Sequence, residues 1–378
     1  MNKKKIGYLL YGLISQLFRI FPMNKNKVVF YMVHNDGFQG NLRYIYDRMK
    51  REDPKKKFVI ASKAELFSGS KLQKIKGVLF FYFGLNYHMC TAGQVFLNDN
   101  FLPLSYMHFS KKAKLIQMWH GVGAWKRFGL TTEKDEVTRE AVKKGNQKIT
   151  HLFVSSERIV PFYEEAMGIS REKIYPVGLP VVDFYFDEER RKEARERFYQ
   201  SYPELKEKKI VLYTPTFRRT EKENRALCEQ FDGKKIKEEL GDEWAVLVRS
   251  HSSVQDLSWK LAEGSYNVTK YPNVKDLYEV ADVLVNDYSS TMVEYALLQR
   301  PIVLFAYDFE KYDRGFYADY KENSPGPIVD DLQGVIKAVK KQEVDSKARE
   351  RFLRLHYDYF DNKNTERVLE ILEKEGEE

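Results

Sequence analysis

Short, uninterrupted apolar runs recur along this chain, and many of them stop at a cluster of glycine, hydroxyl or basic residues. Lys27–Val33 (KVVFYMV) comes first, then Phe58–Ala61, Val78–Phe83, Val95–Leu97, Leu115–Trp119, Leu152–Val154 and Ile174–Val177, with helical stretches between several of them. A second series runs Ile210–Tyr213, Trp244–Val248, Val283–Val285 and Pro301–Phe305. Runs without apolar–polar alternation suit strands covered on both faces. Strands alternating with helices build a doubly wound parallel sheet, so the fold class is α/β. Two series in 378 residues suit two domains. The break falls in the charge-dense stretch Asp187–Lys209, which reads as a solvated helix and linker.

Composition limits the setting. Hydrophobic residues make up 43%, with 25 Phe and 25 Tyr, which supplies sizeable cores and excludes a disordered chain. Two cysteines, Cys90 and Cys228, form neither a disulfide framework nor a zinc spacing and fit a reducing cytoplasm. A formal charge of +8 favours an anionic partner. The cations are dispersed and no nucleic-acid motif is present, so nucleic acid is not the expected one.

Lys3–Lys5 precede the apolar segment Ile6–Phe21, which contains Arg19 and is too short for a confident membrane span. No small-residue cleavage site follows it, as a signal peptide would require. Ile6, Leu9, Leu10, Leu13, Leu17 and Ile20 fall near one side of a helix, with Ser15, Gln16 and Arg19 elsewhere. The segment is expected to lie on an anionic cytoplasmic leaflet. The competing reading packs it on the protein's own core.

The stretch LIQMWHGVGAWKRFGL (Leu115–Leu130) puts His120 where a strand ends, followed by the glycine turn Gly121-Val122-Gly123 and then by Lys126 and Arg127. An imidazole so placed can take a proton from a hydroxyl near a phosphate, and it can equally be a core histidine before an ordinary loop. Three strand-end clusters stand out in the second half. They are Thr214-Pro215-Thr216-Phe217-Arg218-Arg219, Arg249-Ser250-His251-Ser252 and Asn286-Asp287-Tyr288-Ser289-Ser290-Thr291, the last opening a helix. Hydroxyls, guanidinium groups and free N–H groups at a helix start suit an anion, and Glu294 one turn on suits ribose hydroxyls. Taken singly, Ser289 reads as a helix cap and Glu294 as a dipole-favoured surface acid. The chain has no P-loop, no Gly-x-Gly-x-x-Gly and no metal-ligand spacing between His120 and His251.

In order, these motifs resemble the CDP-glycerol glycerophosphotransferase family of teichoic acid synthesis, across roughly Val28 to Leu372. The pieces are Trp119-His120-Gly121, GLPVVDFYF (Gly178–Phe186), Thr214–Arg218, Arg249-Ser250-His251, Asp287–Ser290 and Pro325-Gly326-Pro327. The resemblance implies a GT-B architecture, two Rossmann-like domains facing a central cleft with a C-terminal helix crossing back to the first. The segments expected are 1–21 (membrane-associating), 22–187 (acceptor domain), 188–350 (CDP-donor domain) and 351–378 (closing helix). His120 matches the family's proposed base, and His251 its second important histidine, at the donor phosphates. Thr216, Arg218, Arg249, Asp287, Ser289, Ser290, Thr291 and Glu294 are the expected donor contacts, and Gly121, Lys126 and Arg127 the expected acceptor contacts. Many members carry Trp-His-Gly-Thr-Pro-Leu-Lys. The Val122–Lys126 sequence here is closer to the primase branch.

The implied reaction moves one sn-glycerol-3-phosphate from CDP-glycerol to an undecaprenyl-diphosphate-linked N-acetylmannosaminyl-N-acetylglucosamine acceptor and releases CMP. It would take place at the cytoplasmic membrane face, with no cofactor and no metal. The rivals are a processive glycerol- or ribitol-phosphate polymerase or capsule transferase, and a catalytically silent membrane-surface scaffold.

Overall fold

Every strand pairing among the described residues is parallel. The computed structural model describes residues 3–33, 37–218, 220–250, 260 and 262–374. They divide into two units, Met1–Asp183 with Tyr357–Glu378, and Phe184–His356.

In the first unit the strands are β1 (Asn24–Met32), β2 (Lys57–Ser62), β3 (Ala92–Leu97), β4 (Lys114–Gln117), β5 (His151–Phe153) and β6 (Ile174–Tyr175), in the order β2-β1-β3-β4-β5-β6. Val28 to Met32 are all buried, as a strand covered on both faces requires, and Phe30 stacks on Phe96 of β3 with ring centroids 4.8 Å apart. The order reverses direction between β1 and β3, the position at which open α/β sheets bind ligands beyond the strand ends.

The second unit repeats the plan. It holds β7 (Lys209–Thr214), β8 (Trp244–Val248), β9 (Tyr266–Asn267), β10 (Val283–Asn286), β11 (Ile302–Phe305) and β12 (Ile328–Val329), ordered β12-β11-β10-β7-β8-β9. Its reversal lies between β7 and β10. The charge-dense helix Glu188–Ser201 is docked in this unit rather than being a wholly solvated linker. Arg191 and Arg195 pair with buried Glu279, and Arg197 with buried Asp276 at 2.8 Å. Ala194 and Phe198 on the same helix are buried. Buried Arg349, in the helix Ser346–His356, donates to the carbonyls of Ala296, Arg300 and Pro325; burial lowers its pKa to about 10.

One expected strand is a helix. Val78–Phe83 belongs to a continuous helical stretch, Lys71–Leu79, then a π-helical segment Phe80–Leu85, then Asn86–Cys90. A short apolar run cannot by itself separate strand from helix. Here Ser70 and Gln73 form a capping box that starts a helix, and Leu72, Ile75, Val78 and Leu79 fall at helical spacing. Those four side chains face outward, whereas Phe81 packs on Tyr11 of the first helix, Lys3–Leu17. That first helix is two-sided as well. Tyr11, Ile14 and Ser15 are buried, while Leu13 and Leu17 are 67% and 64% exposed and Ile20, just beyond it, is 81% exposed.

GLPVVD has a structural use. Asp183 accepts from the backbone N–H groups of Asn364 and Thr365 at 2.8 and 3.0 Å and from both their side chains, so it caps the helix Asn364–Lys374. Gly178 has φ +91, and a Cβ there would stand 1.8 Å from the Asn364 side-chain oxygen. Arg367 completes the clamp on the Val177 carbonyl at 3.0 Å. Asp183→Ala removes a buried charged cap and should cost about 2–3 kcal/mol. Urea unfolding of the variant should show the lower midpoint, and an unchanged midpoint would mean that the cap carries no net stability.

Candidate active site

The first cluster is built on a strained turn. After β4, Trp119 adopts φ +46, a left-handed conformation that costs a bulky residue about 1–3 kcal/mol and needs support. The support is specific. The Trp119 N–H donates to Gln117 Oε1 at 3.0 Å, and Asn41 Nδ2 donates to the Met118 carbonyl at 3.1 Å. Asn41 Oδ1 accepts the Val181 N–H at 3.0 Å, which ties the turn to GLPVVD. The turn delivers His120 with its Nδ1 3.6 Å from Oδ2 of Asp99, the side chains being 28% and 22% exposed. The Trp119 ring lies against the imidazole with centroids 4.4 Å apart.

Gly121 and Lys126 are half-buried, and Gly123 accepts from the Tyr163 hydroxyl at 3.0 Å. Arg127 pairs with Glu165 at 3.0 Å on the surface. Asp99 was not among the sequence candidates. Its signal was the familiar one, a polar cluster (Asn98-Asp99-Asn100) directly after an apolar run.

The second cluster sits where β7, β8 and β10 end. Thr214, Asn286 and Thr291 form a hydroxyl–amide knot. Thr214 Oγ1 is 3.0 Å from Thr291 Oγ1, and Asn286 Nδ2 donates to both, at 2.8 and 2.6 Å. Ser289 Oγ accepts from the Thr291 N–H at 3.4 Å, and Ser290, exposed, makes no side-chain cap bond at the helix Thr291–Tyr295. Glu294 accepts from the Tyr185 hydroxyl at 3.1 Å. Buried Tyr278 is within electrostatic reach of Glu294 and Arg249 and hydrogen-bonds Thr291; burial, then Glu294, pushes its pKa well above the ordinary value.

Arg249 is the unusual cation here. It donates to the carbonyls of Val268 and Tyr271 at 3.2 and 2.7 Å, and no carboxylate lies within ion-pair distance among the described residues. Burial lowers its pKa, as expected of a cation short of a counter-charge. Thr216 Oγ1, Ser250 Oγ and Asn286 Oδ1 are buried and have no hydrogen-bond partner among the described residues. Orphaned buried polar atoms at strand ends call for a ligand or water. His251 lies outside the described residues.

Arg218 and Asp287, both expected as donor contacts, are engaged with one another and with Asp308. Arg218 donates to Asp308 through Nε (2.7 Å) and Nη2 (3.0 Å), to Asp287 at 2.9 Å and to the Thr216 carbonyl at 2.6 Å. Asp287, fully buried, also accepts from the Thr216 N–H at 2.9 Å. Burial opposes the charge on Arg218, but Asp287 and Asp308 outweigh it and raise its pKa. The ring of Tyr288 lies 5.0 Å beneath the guanidinium. The pair therefore fastens three strand-end loops together. Arg218→Ala strands the buried Asp287 and the half-buried Asp308 and should destabilise the second unit by roughly 3–5 kcal/mol. Arg218→Lys should recover only part of that, because an ammonium cannot reproduce the fork. Thermal melts of the two variants check both expectations.

The family description for CDP-glycerol:poly(glycerophosphate) glycerophosphotransferase matches residues 13–374. The chain is 30% identical over 374 residues to the teichoic acid poly(ribitol-phosphate) polymerase of Bacillus spizizenii, a match covering 97% of this chain and 59% of that one. It thus spans less than two thirds of that relative's length. It is 32% identical over 286 residues to the teichoic acid glycerol-phosphate primase of the same species, covering 71% of this chain and 72% of the other. The solved wall teichoic acid polymerase TagF shares its fold, with a TM-score of 0.78 at 22% identity, covering 97% of this chain and 94% of that one. The chain therefore belongs to the CDP-glycerol:poly(glycerophosphate) glycerophosphotransferase family.

Proposed function

We propose that this chain is a teichoic acid primase. It transfers one sn-glycerol-3-phosphate from CDP-glycerol to a hydroxyl of an undecaprenyl-diphosphate-linked N-acetylmannosaminyl-N-acetylglucosamine acceptor and releases CMP. The observation that carries this reading is the second cluster. A half-buried arginine after β8, without a carboxylate partner among the described residues, and unsatisfied hydroxyls after β7 and β8 lie on the strand-end edge that holds the β7/β10 reversal, the chemistry a diphosphate needs. Arg249, Thr216, Ser289, Ser290 and Thr291 take the donor phosphates, and Glu294 takes the ribose hydroxyls. His251 is assigned to the same phosphates by its place in the motif. Gly121, Lys126 and Arg127 receive the acceptor.

In the reaction the acceptor oxygen attacks the β-phosphorus, and the bond from that phosphorus to the bridging oxygen breaks, its electron pair leaving with CMP. His120 takes the hydroxyl proton, and the donor-site cations and hydroxyls offset the charge that builds on the phosphates. His120→Ala should lower CMP release by roughly two to four orders of magnitude. Near-normal turnover of the purified variant with CDP-glycerol and a lipid-linked acceptor would reject the base assignment. The similarity to a poly(ribitol-phosphate) polymerase across nearly the whole chain favours a second reading, repeated transfer from CDP-ribitol. Product masses separate the two: a single adduct from CDP-glycerol supports the first, and a ladder from CDP-ribitol the second.

The reading places the chain at the cytoplasmic face of the membrane. No helix among the described residues is long and apolar enough to cross it. The outward Leu13, Leu17 and Ile20, with Leu72, Ile75 and Leu79 of the second helical stretch, suit an interfacial contact beside basic residues. Burying a leucine is worth about 1.5–3 kcal/mol, so Leu13→Asp with Leu17→Asp should weaken sedimentation with anionic phospholipid vesicles at least about tenfold. Unchanged sedimentation would remove this surface from the membrane.

A further inference from the structure

The base proposed above has a carboxylate beside it, and the two are braced from separate strands. Asp99 follows β3, and its Oδ1 accepts the Asn100 N–H at 2.6 Å. Its backbone carbonyl accepts Gln117 Nε2 at 3.1 Å, while Gln117 Oε1 accepts the Trp119 N–H at 3.0 Å. One buried amide therefore holds the carboxylate turn and the imidazole turn in register. The Trp119 ring, tilted 33° to the imidazole, limits its rotation.

We infer that Asp99 is a positioning residue for His120. It favours the tautomer with the proton on Nδ1, which makes Nε2 the basic nitrogen, and it steadies the imidazolium formed when the acceptor proton arrives. The inference rests on the reading of His120 as base. At 3.6 Å the Nδ1–Oδ2 contact is an ion-pair distance and not a hydrogen bond. Protonation charges the ring, so the attraction is greater at the transition state than before it, which is the condition for raising kcat. Asp99 stays ionised throughout and gains no proton. Among the described residues, the charged groups that follow in the same loop are Lys126 and Arg127, the latter paired with Glu165.

The test is the pH profile of kcat/KM for CMP release by the parent, Asp99→Asn and Asp99→Glu, with His120→Ala alongside. Asp99→Asn should lower kcat by roughly tenfold or more, with the donor KM within about twofold, and should move the acid limb to lower pH by about one unit. The direction follows because a protonated ring that loses its neighbouring anion gives up its proton more readily. Asp99→Glu should restore part of the rate and return the limb toward its parent position. A rate loss with an unmoved limb would reduce Asp99 to a structural residue and overturn the inference, as would an unchanged rate. If His120→Ala is inactive while Asp99→Asn leaves the limb in place, only the Asp99 inference fails. If His120→Ala turns over normally, the base reading fails and takes this inference with it.

Discussion

Parallel pairing is the constraint from which the candidate site follows. When every strand in a sheet points the same way, all carboxyl ends emerge along one edge, and the return path is made by helices on the faces. Polar residues that would be costly in the middle of the sheet are affordable there. In the second unit that edge collects the loops after β7, β8 and β10, with a knot of Thr214, Asn286 and Thr291 binding two of them at the reversal of strand order. In the first unit the same edge brings the ends of β3 and β4 side by side, and with them Asp99 and His120.

Much of this was legible because buried parallel strands advertise themselves as unbroken apolar runs with polar stops. Each sheet's central strands were read that way. What escaped was of two kinds. β9 and β12 are two residues each and, unlike the equally short β6, which sits in the run Ile174–Val177, have no flanking apolar run to mark them. Val78–Phe83 had the pattern but not the structure, since its register was decided by a capping box eight residues upstream of Val78 and by Phe81 packing on Tyr11. A continuous apolar run satisfies either period, and only neighbours that are distant in sequence choose between them.

Side-chain roles were less legible than positions. Arg218 and Asp287 follow strand ends, as their motifs suggested, and Asp308, 90 residues beyond Arg218, takes two of the guanidinium bonds. Nothing in the local motif distinguishes an arginine that meets a ligand from one that meets a carboxylate across the sheet edge. Arg249 makes the contrast: its turn offers it carbonyls and no acid among the described residues. GLPVVD shows the same limit in another form. Its sequence marks a family motif without saying what the motif does, and in the fold Asp183 and Gly178 receive the helix Asn364–Lys374.

The left-handed backbone at Trp119 carries an implication for protein engineering. Glycine at that position would relax the main chain by about 1–3 kcal/mol, but it would empty the buried space the indole fills, a loss of about 3–5 kcal/mol. It would also delete the indole that lies over the imidazole. The strained main chain thus persists because the ring it carries is worth more to the packing than the relaxed backbone would return, and a search for stabilising glycines at left-handed positions would be misled here.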